Sequence, residues 1–67
     1  MNLFDIAAAQ HGVFSAHQAH ECGYSRTNLR TLVRQGVVHP ELPGVLRVSG
    51  APNTWSMTVW AATLWLP

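Results

Sequence analysis

Charged residues are scarce in this 67-residue sequence. Only 10% of its residues are charged, and four arginines against three acids give a formal net charge of +1. Typical soluble domains contain about 25% charged residues, so a disordered polyelectrolyte is excluded. The net charge by itself does not indicate a nucleic-acid partner. Lysine is absent, so every cation is a guanidinium, the group best suited to bidentate contacts with phosphate and guanine.

Cysteine and long hydrophobic runs are also scarce. Cys22 is the single cysteine, so no internal disulfide can form and nothing indicates an oxidising compartment. The longest apolar stretch, 55–66, is well short of the ~20 residues that a membrane span needs. The N-terminus lacks the basic segment of a signal peptide. We therefore predict a cytoplasmic protein without a membrane partner.

No set of nucleophile, base and orienting group is apparent, and the three acids are scattered along the chain. A chain of this length also has little room for a multilayer enzyme core. We predict no enzyme activity, no catalytic residues, no cofactor and no small-molecule substrate. His17, His20 and Cys22 lie close in sequence, but a zinc site needs four ligands, so a polar helix face beside a small buried cysteine is the preferred interpretation.

Periodicity and turn residues predict four helices and two strands. Ser15 with Gln18 three residues later is a capping-box pattern, and Ser25 is a second N-cap candidate. Gly36 is placed to end the helix that Ser25 begins. The segment 13–14 is expected to link two helices, and Pro40 is expected to end a strand. The helices are predicted over 3–8, 26–35 and 55–66, with a short one from 16 to just before Gly23, and the strands over 37–39 and 45–48.

A short helix joined through a glycine-containing turn to a second helix is typical of a helix-turn-helix, and a following hairpin makes it winged. The predicted fold is α+β and mainly helical: a winged helix-turn-helix with a small two-stranded hairpin and a C-terminal apolar helix. Residues 1–53 would form the DNA-binding domain. Residues 54–67 would form the apolar helix and begin a link to a C-terminal domain missing from this sequence.

Three arginines share one edge of the third predicted helix. At about 100° per residue, Arg30 lies about 40° and Arg34 about 80° from Arg26. The apolar residues of this helix occupy the opposite side, and the helix contains no acid. This arrangement fits a recognition helix, although a solvated polar face would have the same pattern.

Roles follow from the positions of these residues on the helix. Near its N-terminus, Arg can pair with guanine while Asn and Thr contact adenine or the thymine methyl. Residues at the N-cap and farther along the helix would contact phosphate, with a weaker contact from the wing. The residues predicted to contact bases are Arg26, Thr27, Asn28 and Arg30. Those predicted to contact phosphate are Ser25 and Arg34. Thr31 is included in the predicted DNA-binding surface, and Arg47 is the predicted contact from the wing.

The last predicted helix is apolar on all sides. Its tryptophans recur every five residues and so spread to about 0°, 140° and 280°. Such a helix must be covered on several sides, either by a further domain or by a second copy of the chain. The predicted interaction surface comprises Trp55, Val59, Trp60, Leu64 and Trp65.

Several segments together carry a family resemblance. The most specific reads Gly-Val-x-Arg-Val-x-Gly-x-Pro-x-Thr-Trp over residues 44–55, and 13–15, 23–26 and 33–36 add to it. From about Leu3 to Leu64 the chain resembles the N-terminal domain of AbiEi-type antitoxins of type IV toxin–antitoxin systems. Its turn Pro40–Pro43, which contains Glu41, departs from the shorter and more basic turn that family members usually carry.

The resemblance implies a winged helix-turn-helix that binds operator DNA and represses the antitoxin–toxin operon. We therefore predict sequence-specific binding of double-stranded DNA, with a homodimer on repeated half-sites as an alternative to a single copy. A different class of function stays open. The chain would then be a protein-interaction or dimerisation module, or a truncated remnant, that uses its Trp-rich helix and does not bind DNA.

Overall fold

A computed structural model describes residues 2–51 and 54–65 of the chain. Within these residues the fold is α+β, as predicted, with four helices and one antiparallel sheet of three strands. The helices are α1 (Leu3–Ala9), α2 (Ala16–Glu21), α3 (Arg26–Arg34) and α4 (Trp55–Trp65). The strands are β1 (Val13–Ser15), β2 (Val38–Leu42) and β3 (Val45–Val48). The predicted end of the last helix at Leu66 lies outside the described residues, as do Pro52 and Asn53.

The predicted two-stranded hairpin is present as β2 and β3, but the sheet has a third strand that was not predicted. Strand β1, which was expected to be a linking segment, pairs with β3, and the strand order is β1-β3-β2. Both Val13 and Phe14 are fully buried, one in each of the two hydrophobic clusters. A strand covered on both faces shows no alternation of apolar and polar residues, so the pattern of these residues does not reveal it.

Strand β2 continues through Pro40, which was predicted to end it. Pro40 pairs with Leu46 of β3, and an irregularity in the register follows between Pro40 and Leu42. Strand β2 lies at the edge of the sheet, so one of its sides has no neighbouring strand to accept hydrogen bonds. A proline, which lacks an amide hydrogen, is tolerated in such a strand. The bulge at Glu41 then lets the strand resume at Leu42.

Two apolar clusters lie on opposite faces of the sheet. The larger contains Phe14 and Leu46 and packs them against α1, α2 and α3 through Leu3, Ala19 and Leu29. The smaller packs Val13 and Val45 against Met57 and Ala61 of α4. Helix α4 therefore lies on the sheet face opposite the other three helices. The predicted domain boundary between residues 53 and 54 stays a prediction.

Side-chain hydrogen bonds cap the N-termini of α2 and α4 where the sequence predicts these helices to start. The Ser15 hydroxyl accepts from the Gln18 amide, and the Gln18 side chain accepts from the Ser15 amide, each at 3.0 Å. The side chains of Gln18 and Gln10 also exchange two hydrogen bonds of 3.0 and 2.9 Å, which join α2 to the end of α1. Thr54 caps α4 by accepting from the Met57 amide at 3.1 Å. In the described part of the chain, no helix is long and apolar enough to cross a membrane.

Candidate nucleic-acid interface

The turn between α2 and α3 fixes the direction in which α3 leaves the core. Gly23 has a φ of +92°, a conformation that other residues rarely adopt. The Tyr24 amide donates to the Ala19 carbonyl at 3.0 Å, and His20 Nδ1 lies 2.7 Å from the Tyr24 carbonyl oxygen. These hydrogen bonds hold the turn against α2, while Leu29 anchors α3 in the larger cluster.

Helix α3 carries an exposed row of arginines, Arg26, Arg30 and Arg34, which we call the Arg row. All three side chains are exposed, as the helical wheel predicts, while Leu29 is buried on the opposite side. Within residues 2–51 and 54–65, no ion pair or hydrogen bond engages any of the three guanidinium groups. The Arg row therefore presents three guanidinium groups to solvent at successive turns of one helix.

The three acids lie away from this row. Asp5 is in the first turn of α1. Glu21 Oε1 lies 3.0 Å from His17 Nε2 on α2, and Glu41 on β2 pairs with Arg47. Since exposed unlike charges reduce each other's field, placing the acids on other elements leaves the outer face of α3 positive.

Ser25 and Asn28 form a capping box at the start of α3. The Ser25 hydroxyl accepts from the Asn28 amide at 3.0 Å, and Asn28 Oδ1 accepts from the Ser25 amide and hydroxyl at 3.0 and 2.9 Å. Ser25 as N-cap was predicted, but the part played by Asn28 was not. Asn28 Oδ1 therefore accepts two hydrogen bonds at the helix end, and the prediction that Asn28 contacts a base stays a prediction.

The two threonines of α3 differ in their surroundings. Thr27 is exposed beside the Arg row. Thr31 is half-buried, and its hydroxyl donates to the Thr27 carbonyl at 3.0 Å. The amide groups of Arg26 and Thr27 belong to the first turn, where no helical carbonyl can accept from them, so they remain available to an anion.

Arg47 lies on a different surface from the Arg row. It is opposite the buried Val13 in the sheet register, so its side chain extends from the face that α4 covers. The guanidinium pairs with Glu41 and donates to the Ala51 carbonyl at 3.4 Å, and the side chain is only 26% exposed. The structure does not bring Arg47 together with the predicted contacts on α3.

The predicted interaction surface on α4 divides between two faces. Trp60 and Leu64 are partly buried and pack against the smaller cluster. Trp55, Val59 and Trp65 point away from the sheet and are 80%, 45% and 50% exposed. Helix α4 therefore has one apolar face that covers the sheet and a second that is open, in agreement with the prediction of a helix that is apolar on all sides.

The histidines serve local contacts. His17 pairs with Glu21, and His20 contacts the Tyr24 carbonyl, so the two imidazoles have separate partners. Across the described ranges 2–51 and 54–65, no three His, Cys, Asp or Glu side chains are grouped closely enough to hold a metal ion.

Comparison with known proteins assigns the chain to a protein family. A family model described as "Transcriptional regulator, AbiEi antitoxin" matches residues 1–49. No curated protein and no solved structure matches the chain. The family description is that of a regulator and not of an enzyme class. The match covers most of the chain, including all of α1 to α3 and the sheet, so the chain belongs to the AbiEi antitoxin family of transcriptional regulators.

Proposed function

We propose that the chain is a winged helix-turn-helix protein that binds double-stranded DNA in a sequence-specific manner, with α3 in the major groove. The observation that carries this proposal is the Arg row, whose three guanidinium groups are exposed at successive turns and have no acidic partner in the described residues. A recognition helix must bring side chains near its N-terminus to base edges while its other face packs on the domain. Helix α3, anchored through Leu29, meets both requirements.

The contacts divide by chemistry. Arg26 and Arg30 are the proposed base readers, since a guanidinium can donate two hydrogen bonds to guanine, and Thr27 is close enough on the helix to meet a thymine methyl. Arg34, one turn farther along, and the free amides of the first turn would bind phosphate. Ser25 and Asn28 would hold those amides in place through the capping box, and Asn28 can still donate from its Nδ2 to a base.

The hairpin β2–β3 contributes little charge to the proposed interface. Its cation, Arg47, is paired with Glu41 on the side of the sheet that α4 covers. We expect one copy of the chain to bind DNA weakly and with a moderate salt dependence, because each neutralised phosphate changes the logarithmic salt slope by only about 0.9.

The test is a titration of a fluorescent duplex, taken from the promoter upstream of the gene, at about 50 and 200 mM salt. Arg30→Ala is expected to weaken binding by about 1–3 kcal/mol, or about 5- to 150-fold. Arg47→Ala is the matched control, because it removes the same charge from the paired position, and it should leave the affinity unchanged. Equal losses in both variants, or no binding by the parent chain, would contradict the proposal.

We further propose that the target is the promoter of the chain's own toxin–antitoxin operon, which the family description of an antitoxin regulator supports. A reporter gene under that promoter should be repressed by the parent chain and released by Arg30→Ala. Equal reporter output with and without the chain would show that the operator lies elsewhere.

A further inference from the structure

The face of α4 that points away from the sheet carries a second apolar stripe. Trp55, Val59, Ala62 and Trp65 recur at intervals of four, three and three residues, the spacing that aligns side chains along one side of a helix. All four are exposed, and Trp55 is the most exposed of them at 80%. We call this surface the outer stripe; Thr58 lies within it.

The hydroxyl groups of Thr58 and Thr63, in and beside the outer stripe, are already satisfied within the helix. The Thr58 hydroxyl donates to the Thr54 carbonyl at 3.2 Å, and the Thr63 hydroxyl donates to the Val59 carbonyl at 2.9 Å. Helix α4 contains no charged residue along its whole length. A partner can therefore cover the middle of this face without desolvating a charge, while the indole N–H groups of Trp55 and Trp65 at its two ends must find an acceptor or stay in contact with water.

We infer that the occupant of the outer stripe is a second copy of the chain, packed antiparallel about a two-fold axis near Val59. The stripe is bulky at both ends and small in the middle. An antiparallel pair therefore places Trp55 beside the second copy's Trp65, and the small residues meet where the helices cross. In a two-fold interface each contact occurs twice and only residues near the axis meet their own symmetry mates, and an uncharged helix meets no like-charge repulsion there.

The area of the stripe matches a weak, reversible dimer. A tryptophan can bury about 150–250 Å², so two tryptophans exposed by half or more, together with Val59 and Ala62, supply about 500 Å² per copy. The total of about 1,000 Å² is at the lower limit for a specific interface. The absence of cations on α4 argues against an anionic membrane as the occupant.

Dimerisation through the outer stripe would leave α3 uncovered. Helix α4 and the larger cluster lie on opposite faces of the sheet, so a copy bound to α4 does not reach the Arg row through this contact. If α3 binds DNA as proposed above, the dimer presents two such helices to a repeated site. The dimer itself depends only on α4 and can be tested without DNA.

The test is sedimentation equilibrium of the 67-residue chain in the absence of DNA, over a concentration series reaching about 1 mM. The parent mass should rise from 7.4 kDa towards twice that value as concentration increases. Val59→Glu brings two carboxylates together near the axis and should keep the mass at 7.4 kDa throughout. Ser56→Glu adds the same charge to the exposed side of α4 outside the stripe, and this control should dimerise as the parent does.

Tryptophan fluorescence gives a second readout that distinguishes loss of the dimer from loss of the fold. In a Trp60→Phe background only Trp55 and Trp65 emit, and their emission should shift to shorter wavelength with concentration, but not when Val59→Glu is added. Circular dichroism of dilute samples should show the same helix content for the Val59→Glu chain as for the parent. A parent chain of constant mass, or equal behaviour of Val59→Glu and Ser56→Glu, would overturn the proposed dimer and leave the DNA-binding proposal unaffected.

Discussion

Replacing Ser25 should separate the stability of α3 from its contact with DNA. Ser25→Ala removes the hydroxyl that accepts from the Asn28 amide and donates to Asn28 Oδ1. Loss of an N-cap of this kind costs about 1 kcal/mol. In a domain of this size that corresponds to a melting temperature about 4–8 °C lower. When the variant is folded, its affinity for duplex DNA should fall only slightly, because the Arg row is intact and only the hold of the cap on the first-turn amides is lost.

Ser25→Asp should have the opposite pattern. A carboxylate can still cap the helix, and it interacts favourably with the positive end of the helix dipole, so the melting temperature should stay level or rise. The same carboxylate lies beside the amides of Arg26 and Thr27, where we propose that a phosphate binds. Two unit charges about 5 Å apart repel by about 0.8 kcal/mol in water and about 3 kcal/mol at the effective dielectric constant of a protein surface. Binding should therefore weaken by about 4- to 140-fold.

Thermal melts followed by circular dichroism measure the first effect, and fluorescence anisotropy with a promoter duplex measures the second. Ser56→Asp is the matched control, because it adds the same charge in the first turn of α4, on the other side of the sheet from α3. It should leave DNA affinity nearly unchanged. Parent-like binding by Ser25→Asp would refute the reasoning, since the start of α3 could not then face the phosphates.

Three further predictions concern the fold, and thermal or urea unfolding checks each of them. Gly12→Ala should destabilise the chain by more than about 1 kcal/mol, because Gly12 has a φ of +90° and an added Cβ would lie 2.4 Å from the Ala51 Cβ; a stable variant would contradict the close packing of these two segments. Phe14→Ala should lower the free energy of unfolding by about 3–5 kcal/mol, because Phe14, the middle residue of β1, is fully buried. A much smaller decrease would show that β1 does not contribute to the core. Gln18→Ala should lower the free energy of unfolding by about 1–2 kcal/mol, because it removes the hydrogen bond from the Ser15 amide and both hydrogen bonds to Gln10. An unchanged unfolding midpoint would show that water replaces these hydrogen bonds without loss of stability.

Features encoded within a few residues of sequence could be predicted. The starts of α2 and α3 follow from Ser15 and Ser25, because an N-cap hydrogen bond spans only three residues. The exposed edge of α3 follows from the helical repeat of Arg26, Arg30 and Arg34. Family membership was also recognisable from short motifs in sequence, and the family model confirms it over residues 1–49.

Features that depend on tertiary contacts could not be predicted. Val13 and Phe14 form a strand because β3 pairs with it from more than thirty positions farther along the chain. Pro40 fits into β2 only because that strand lies at the edge of the sheet. The pairing of Arg47 with Glu41 similarly depends on how β2 and β3 pair, which no local pattern reveals.

The role of Asn28 and the two faces of α4 were partly visible in the sequence. Asn28 stands three residues after Ser25, the spacing of a capping box, but Glu or Gln usually occupies that position. On α4, the inner residues Met57 and Ala61 and the outer residues Trp55 and Val59 have the same four-residue spacing. Because both sides are apolar, only the position of the sheet distinguishes the covered side from the open one.

The central claim is that α3 is the surface that meets duplex DNA. Backbone amide chemical shifts of an isotope-labelled chain, followed while promoter duplex is added, test it directly. We expect the largest shifts at Arg26, Thr27 and Arg30, and small shifts on the outer side of α4. Shifts confined to α4, or none at saturating duplex, would contradict it.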